Sequence, residues 1–261
     1  MAFRTLDISA HMTKFNSAAS SNLIDLYEGE VEKEIAENNS RPKNRTIAPS
    51  SFRCMRYNWF RLRGAEPDKA ISSDIGLQFT ADIGTACHEM IQARLSKVLK
   101  DNWLDVEDYM NSNPKIDYEF SVNKKGYESQ ISITDPPVKF ACDGVLKLNS
   151  KIYLLEIKTS EFSAFNGLIS PKPEHIDQIK CYASLLHIED VLVLYQDRQY
   201  GSIKCFEMKV SETERNKVLE KIKYIQNMAS ANIAPEGLPI GNKYCSSNMC
   251  IYYKKCQQWG R

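Results

Sequence analysis

Asp143, Glu156 and Lys158 bring two carboxylates and an ammonium close together in the chain. Residues 138–148 and 151–159 read as strands separated by Asn149-Ser150, a two-residue hairpin turn. In that register Leu148 opposes Lys151, and counting back sets Asp143 opposite Glu156. Directly opposed residues share a face, with Cβ atoms ~4.5–5.5 Å apart, and like charges there destabilise a sheet. Glu156 and Lys158 lie two apart and point to one face. Ile152, Tyr153, Leu154, Leu155 and Ile157 are apolar on both faces, the pattern of a strand buried on both sides. Carboxylates in that setting are costly without a partner. A hard divalent cation, Mg²⁺ or Mn²⁺, meets the need with one or two carboxylates, water and phosphate oxygens as ligands. Such an ion polarises a phosphate and lowers the pKa of a bound water. Lys158 could orient that water or stabilise developing negative charge. The alternative is a solvent-facing strand end with an ordinary Glu–Lys pair, and a three-residue turn would move Asp143 off the shared face.

Other groups need elements to position them. A helix is predicted from about 85 to 100, with Ile91, Leu95 and Val98 as its apolar stripe. His88 lies on that stripe, where a histidine is either a core residue or a ligand. Glu89 follows it, but no second His comes four residues on, which excludes a zinc-protease motif. Pro171 and Pro173 precede a helix to about 188, in which Gln178 and Tyr182 are an i,i+4 pair. Further strands are read at 116–122, 127–133, 190–195 and 202–210. Ser211 and Glu214 form a capping box opening a helix with Val218, Ile222 and Ile225. Helix, strands, helix, strands, helix is the order of a mixed α/β domain with one central sheet.

The chain has 261 residues, 43% hydrophobic and 26% charged, which excludes a disordered chain and provides a core. Three regions are expected: an acidic helical arm at 1–46 (Asp25, Glu28, Glu30, Glu32, Glu34, Glu37), a core at 47–233 and a loop-like tail at 234–261. The net charge of +1 carries no information about nucleic acid. No apolar run approaches the ~18 residues of a membrane span, and the first residues lack the apolar core of a signal peptide, so a cytoplasmic location is expected. Of eight cysteines, Cys87, Cys142, Cys181 and Cys205 lie singly in apolar or regular stretches and read as core. Cys245, Cys250 and Cys256 cluster in the tail.

His88, Asp143 within Cys142-Asp143-Gly144, Glu156-Ile157-Lys158, and Gln178 with Tyr182, in that order, resemble the RecB-like branch of the PD-(D/E)XK nucleases. The resemblance is strongest to the iron–sulfur RecB-like exonucleases, which include a CRISPR-associated family and many phage members. In that family one cysteine lies upstream of the histidine motif and three lie at the C-terminus, as do Cys54 and Cys245, Cys250 and Cys256 here. The stretch Ser50-Ser51-Phe52-Arg53-Cys54-Met55-Arg56 is also similar, and the likeness covers about 48–260. It departs in the tail, where four residues separate Cys245 from Cys250 instead of the usual two.

The resemblance implies an α/β restriction-endonuclease-like core, a central mixed sheet flanked by helices, with an iron–sulfur-stapled N- and C-terminal region. It implies that His88, Asp143, Glu156 and the Ile157 carbonyl hold the catalytic Mg²⁺ or Mn²⁺. By the same carry-over Lys158 is the catalytic lysine, and Gln178 and Tyr182 position the strand or support the site. Cys54, Cys245, Cys250 and Cys256 would hold a 4Fe–4S cluster, closing a loop of about 190 residues; Cys₄ ligation also suits structural Zn²⁺. The cluster would gather basic and aromatic groups into a single-strand track. Arg53, Arg56, Arg61 and Arg63 with Phe52, Tyr57, Trp59 and Phe60 flank Cys54, and Tyr252, Tyr253, Lys254 and Lys255 adjoin Cys256. Its alternative is a solvated positive face. The expected function is a metal-dependent DNA nuclease, an exonuclease on single strands or duplex ends, in recombination, repair or replication. The competing reading is a DNA-binding subunit of a recombination or CRISPR-adaptation-like complex, acting with partner proteins.

Overall fold

The stretch 138–148 is not one strand. The computed structural model describes residues 18–40, 44–68, 74–239 and 241–259, and in it the chain changes sheets at Asp143. Its helices of six or more residues and its strands follow in chain order: α1 (Ala18–Ser40), α2 (Met55–Leu62), α3 (Ile75–Leu99), β1 (Trp103–Leu104), α4 (Val106–Ser112), β2 (Phe120–Lys125), β3 (Glu128–Ile133), β4 (Val138–Cys142), β5 (Gly144–Leu148), β6 (Lys151–Ser160), α5 (Pro173–Leu185), β7 (Asp190–Asp197), β8 (Ile203–Lys209), α6 (Glu212–Ser230) and α7 (Tyr253–Gln258). A one-turn helix, Phe162–Asn166, follows β6.

Two sheets replace the single one expected. One is a mixed sheet ordered β1-β5-β6-β7-β8, in which only β6 and β7 run parallel. The other is an antiparallel sheet, β2-β3-β4. Ile47 bridges to Val138 on the free edge of β4. The Asn149-Ser150 hairpin forms as read, with Leu148 opposite Lys151 and Gly144 opposite Leu155. Both turn residues have positive φ, 48° and 66°, the conformation that a two-residue hairpin requires. The next pair in that register is Asp143 with Glu156.

Helices cover the sheets as the apolar pattern demands. Ile179, Leu185 and Leu186 of the α5 region, Ile222 and Ile225 of α6, and Leu154 and Val193 of the mixed sheet share one core. Ile91 of α3 packs with Leu155, Ile157 and Leu194 on the opposite face. The Ser211–Glu214 capping box is present. Val98, read as part of the α3 stripe, is 76% exposed, because the stripe runs Ile91, Leu95, Leu99 and Val98 lies off it; α3 itself begins ten residues earlier than expected. Cys142 and Cys181 are buried, Cys87 is half-buried, and Cys205 is exposed on the outer strand β8, contrary to its reading as core. The tail is not wholly loop: it contains α7. Contacts divide the chain into two units, Met1–Pro42 with Ala70–Ala81, and Lys43–Lys69 with Asp82–Arg261. In the first, the acidic α1 is exposed along most of its length.

Gly144 starts β5 directly after the break. A Cβ there would stand 2.9 Å from Cη2 of Trp103. Gly144→Ala should therefore cost about 1–3 kcal/mol of stability by overpacking, measured by urea denaturation. Trp103→Phe in the same background should recover part of the loss.

Candidate active site

β4 and β5 diverge around Asp143, and its side chain replaces the backbone that leaves. The Ile157 N–H donates to Asp143 Oδ2 at 2.7 Å, where a continuous strand would have offered a carbonyl. The other oxygen, Oδ1, lies 3.2 Å from His88 Nδ1. Gln92 Nε2 donates to the Asp143 carbonyl at 2.8 Å. α3 thus reaches the break through His88 and Gln92, one turn apart on one face. Gln92 is 1% exposed and was missed in the sequence. Its signal was the four-residue spacing from His88.

Asp143 and Glu156 are 5% and 2% exposed, so the solvent-facing strand end is excluded. Yet the group against Glu156 is an ammonium. Lys158 Nζ lies 2.6 Å from Glu156 Oε1 and donates to Gln178 Oε1 at 3.2 Å. Gln178 Nε2 in turn donates to the Tyr182 hydroxyl at 2.8 Å. Tyr182 is buried and stacks on Phe140 of β4. One polar chain therefore runs Glu156–Lys158–Gln178–Tyr182, with β6 supplying its first half and α5 its second. Gln178 and Tyr182 engage Lys158 within the protein.

Glu156 Oε2 is buried and has no partner. Burial pushes the Glu156 carboxyl up to about 7; Lys158 opposes this, and Asp143 adds to it. For His88, burial disfavours the charged ring, but the hydrogen bond and charge of Asp143 outweigh it and the net shift is upward. For Lys158, burial is likewise outweighed by Glu156, and the ammonium is held above its ordinary range. Among the described residues, no three or more His, Cys, Asp or Glu side chains stand ready to hold an ion as they lie. At this site the reason is visible: Lys158 occupies one Glu156 oxygen, while His88 and Ile157 engage both oxygens of Asp143.

Cys54, Cys245, Cys250 and Cys256 line one cavity, away from the carboxylates. Burial pushes the Cys54 and Cys250 thiols up, Cys250 to about 11, and the neighbouring cysteines push in the same direction. Much of the track predicted around them is not surface. Phe52, Trp59, Phe60 and Tyr252 are buried in the core. Trp59 donates to the Met228 carbonyl of α6, and Phe60 stacks on Tyr252. Arg56 is 5% exposed; it donates to the Pro235 carbonyl at 2.7 Å and lies 3.7 Å from the Cys256 sulfur. It braces the cysteine region from within, so its reading as a DNA contact is corrected. Arg61 and Arg63 donate to the Thr46 and Ala229 carbonyls. Arg53 is half-buried over the Tyr244 ring, and Lys254 is exposed.

No family model and no curated protein matches the sequence. Among solved structures, the chain is similar to SSO0001, with 18% identity and a TM-score of 0.46 over 88% of this chain and 96% of that one. It is also similar to LHK-Exo, an alkaline exonuclease from Laribacter hongkongensis, one structure of which is a complex with dAMP. There the identity is 14% and the TM-score 0.38, over 73% of this chain and 90% of that one. Likeness at these scores decides neither fold nor activity, and the site stands on its own geometry.

In metal-free protein, a Glu156 that titrates at about 7 when folded and near 4.5 when unfolded keeps a proton that the unfolded chain has released. Its contribution to stability therefore falls as pH rises through that window. Glu156→Gln removes the proton exchange. Relative to wild type, the variant should gain stability between pH 4 and pH 8 by at most about 3 kcal/mol, measured by denaturation at each pH in chelator.

Proposed function

We propose that the protein is a metal-dependent nuclease that hydrolyses DNA phosphodiesters, as an exonuclease on single strands or duplex ends. The observation that carries the reading is the orphaned, buried Glu156 oxygen beside Asp143, with Lys158 at the same centre. A buried carboxylate oxygen without a donor is a standing cost, and a hard cation is the ligand that removes it. The resemblance to RecB-like nucleases, drawn from the same residues, supports the assignment.

The donor set fits Mg²⁺ or Mn²⁺: carboxylate oxygens of Asp143 and Glu156, the Ile157 carbonyl and an imidazole. A neutral His88 donating Nδ1–H to Asp143 would offer Nε2 as its lone pair, the arrangement common to metal-bound histidines. When bound, the ion supplies a polarised phosphate and a water acidic enough to attack it. The chain's own groups do the rest. Asp143 and Glu156, neighbours in the β5–β6 register, would supply the carboxylate oxygens. Lys158, steered by Gln178 and beside Glu156, would donate to negative charge developing on the phosphate. Tyr182 fixes Gln178, and Gln92 holds the Asp143 backbone.

For the cysteines we propose a 4Fe–4S cluster, with structural zinc as the competing occupant. Four thiols on one cavity fit Cys₄ ligation.

Digestion of end-labelled single-stranded, duplex and circular DNA with Mg²⁺ or Mn²⁺ tests the activity. Glu156→Gln should abolish cleavage, and Lys158→Ala should slow it on the order of 10²–10³-fold while calorimetric Mn²⁺ binding persists. Cleavage by Glu156→Gln at the wild-type rate would remove the assignment. Anaerobically purified protein should be brown, with about four irons per chain. Cys250→Ser should lose them and Cys205→Ser should not. Stoichiometric zinc without iron would replace the cluster with a zinc site.

A further inference from the structure

Of the aromatic residues expected to stack on bases, Phe52, Trp59, Phe60 and Tyr252 are buried and Tyr57 and Tyr253 half-buried, but another aromatic pair is exposed. Phe162, 38% exposed, opens the one-turn helix after β6, and Tyr200, 66% exposed, sits in the turn between β7 and β8. Their rings meet at 4.8 Å and 78°, an open corner with one ring forming the floor and the other the wall. Two apolar rings of this size left in water are informative only if something holds them there.

Both carriers are clamped. Asp197, 1% exposed, accepts the backbone N–H groups of Gln199 and Tyr200 at 3.0 and 2.9 Å, which fixes the turn. Lys204 of β8 donates to the carbonyls of Phe165, Asn166 and Leu168 at 2.9–3.1 Å, which fixes the segment behind Phe162. Arg198 pairs with Glu161 at 3.7 Å between the two carriers. A segment immobilised by backbone-directed charges and tipped with exposed rings is preorganised for a flat apolar partner.

The pair also has a defined place. Glu156, Lys158 and Ser160 alternate onto one face of β6. Ser160 is in register with Asp197, and its carbonyl accepts the Arg198 N–H at 3.0 Å. The corner therefore follows the end of the strand that carries the site: β6 ends at Ser160, two residues or roughly 7 Å of strand beyond Lys158, and Phe162 comes two residues after that. That is the scale of one or two nucleotides.

We propose that Phe162 and Tyr200 form a stacking site for one unpaired nucleobase of the strand held at Asp143, Glu156 and Lys158. The inference rests on the nuclease reading for its substrate class and deepens it: the site takes a base freed from pairing, at a fixed distance from the cleaved phosphate. Stacking is tolerant of sequence because every base has a π-face, so the site selects for single-strandedness and not for a base type. A hydrogen bond from Gln199 Nε2 to the Tyr200 hydroxyl, 3.0 Å, orients the ring without being needed for stacking.

The test is binding, not cleavage, so its failure is separable from failure of the nuclease assignment. Fluorescence anisotropy with Ca²⁺ in place of Mg²⁺ would follow a labelled single-stranded oligonucleotide and a set carrying one abasic position, moved a nucleotide at a time. Wild type should lose about 5- to 150-fold in affinity at one position of the set. Phe162→Ala/Tyr200→Ala should bind the intact strand as weakly as wild type binds that abasic strand, and should ignore the abasic position. Tyr200→Phe should behave as wild type. A double variant that keeps the wild-type abasic profile would overturn the proposal. So would a double variant that binds DNA normally but shifts from dimer to monomer in sedimentation, since the rings would then belong to a contact between copies. If Glu156→Gln still cuts DNA while the abasic profile behaves as expected, the catalytic assignment fails and the base site stands.

Discussion

The candidate site depends on one backbone event, the parting of β4 from β5 at Asp143. A strand that leaves a sheet strands the N–H groups of its former neighbour, and a buried N–H without an acceptor is costly. Asp143 settles this with its own side chain by accepting from Ile157. The same bond fixes the carboxylate beside Glu156 and within reach of His88. Fold and site are therefore one arrangement: the residue that allows two sheets to share a strand is also the acid the chemistry needs. Gly144 follows because no larger residue fits against Trp103.

The charges then arrange themselves around a deficit. Two buried carboxylates face one ammonium and one imidazole whose charged form Asp143 favours. Lys158 is held at Glu156 Oε1 by proximity and at Gln178 by a bond that reaches back through Tyr182 to Phe140 of β4. This network is anchored on both sheets, so the position of Lys158 reports whether the two sheets are correctly joined. One oxygen, Glu156 Oε2, stays unsatisfied. Buried polar groups of that kind are few and call for an explanation, and beside Asp143 and Lys158 a bound ion supplies one.

The cysteine region shows the opposite use of polar and aromatic side chains. Arg56, Trp59, Phe60 and Tyr252 read in sequence as a surface for phosphates and bases, and they pack inward. α2 lies against α6, and Arg56 sends its charge to the Pro235 carbonyl and the Cys256 sulfur. A guanidinium can be buried where carbonyls and sulfur receive its fork. Exposed rings are found instead at Phe162 and Tyr200, where buried Asp197 and half-buried Lys204 clamp the backbone that presents them.

What the sequence determined by itself was local and periodic. The Asn149-Ser150 turn follows from residues that tolerate positive φ, and once the turn is set the pairing of Leu148 with Lys151 leads by counting to Asp143 beside Glu156. The burial of β6 follows from its apolar residues 152–155 and 157, and the start of α6 from the Ser211–Glu214 box. Each rests on interactions within a few residues or on a period of two. Tertiary structure decided the rest. Whether 138–148 pairs with one neighbour along its length depends on β3 and β6 competing for its two halves, and no local pattern records that competition. The burial of Trp59 depends on α6, whose Met228 carbonyl lies 169 residues further along the chain, and that of Arg56 on Pro235 and Cys256, 179 and 200 residues further along. The role of Gln92 depends on which carbonyl lies above its turn of helix. Long-range partners set these outcomes, because a side chain's environment is fixed by what packs against it and not by what precedes it.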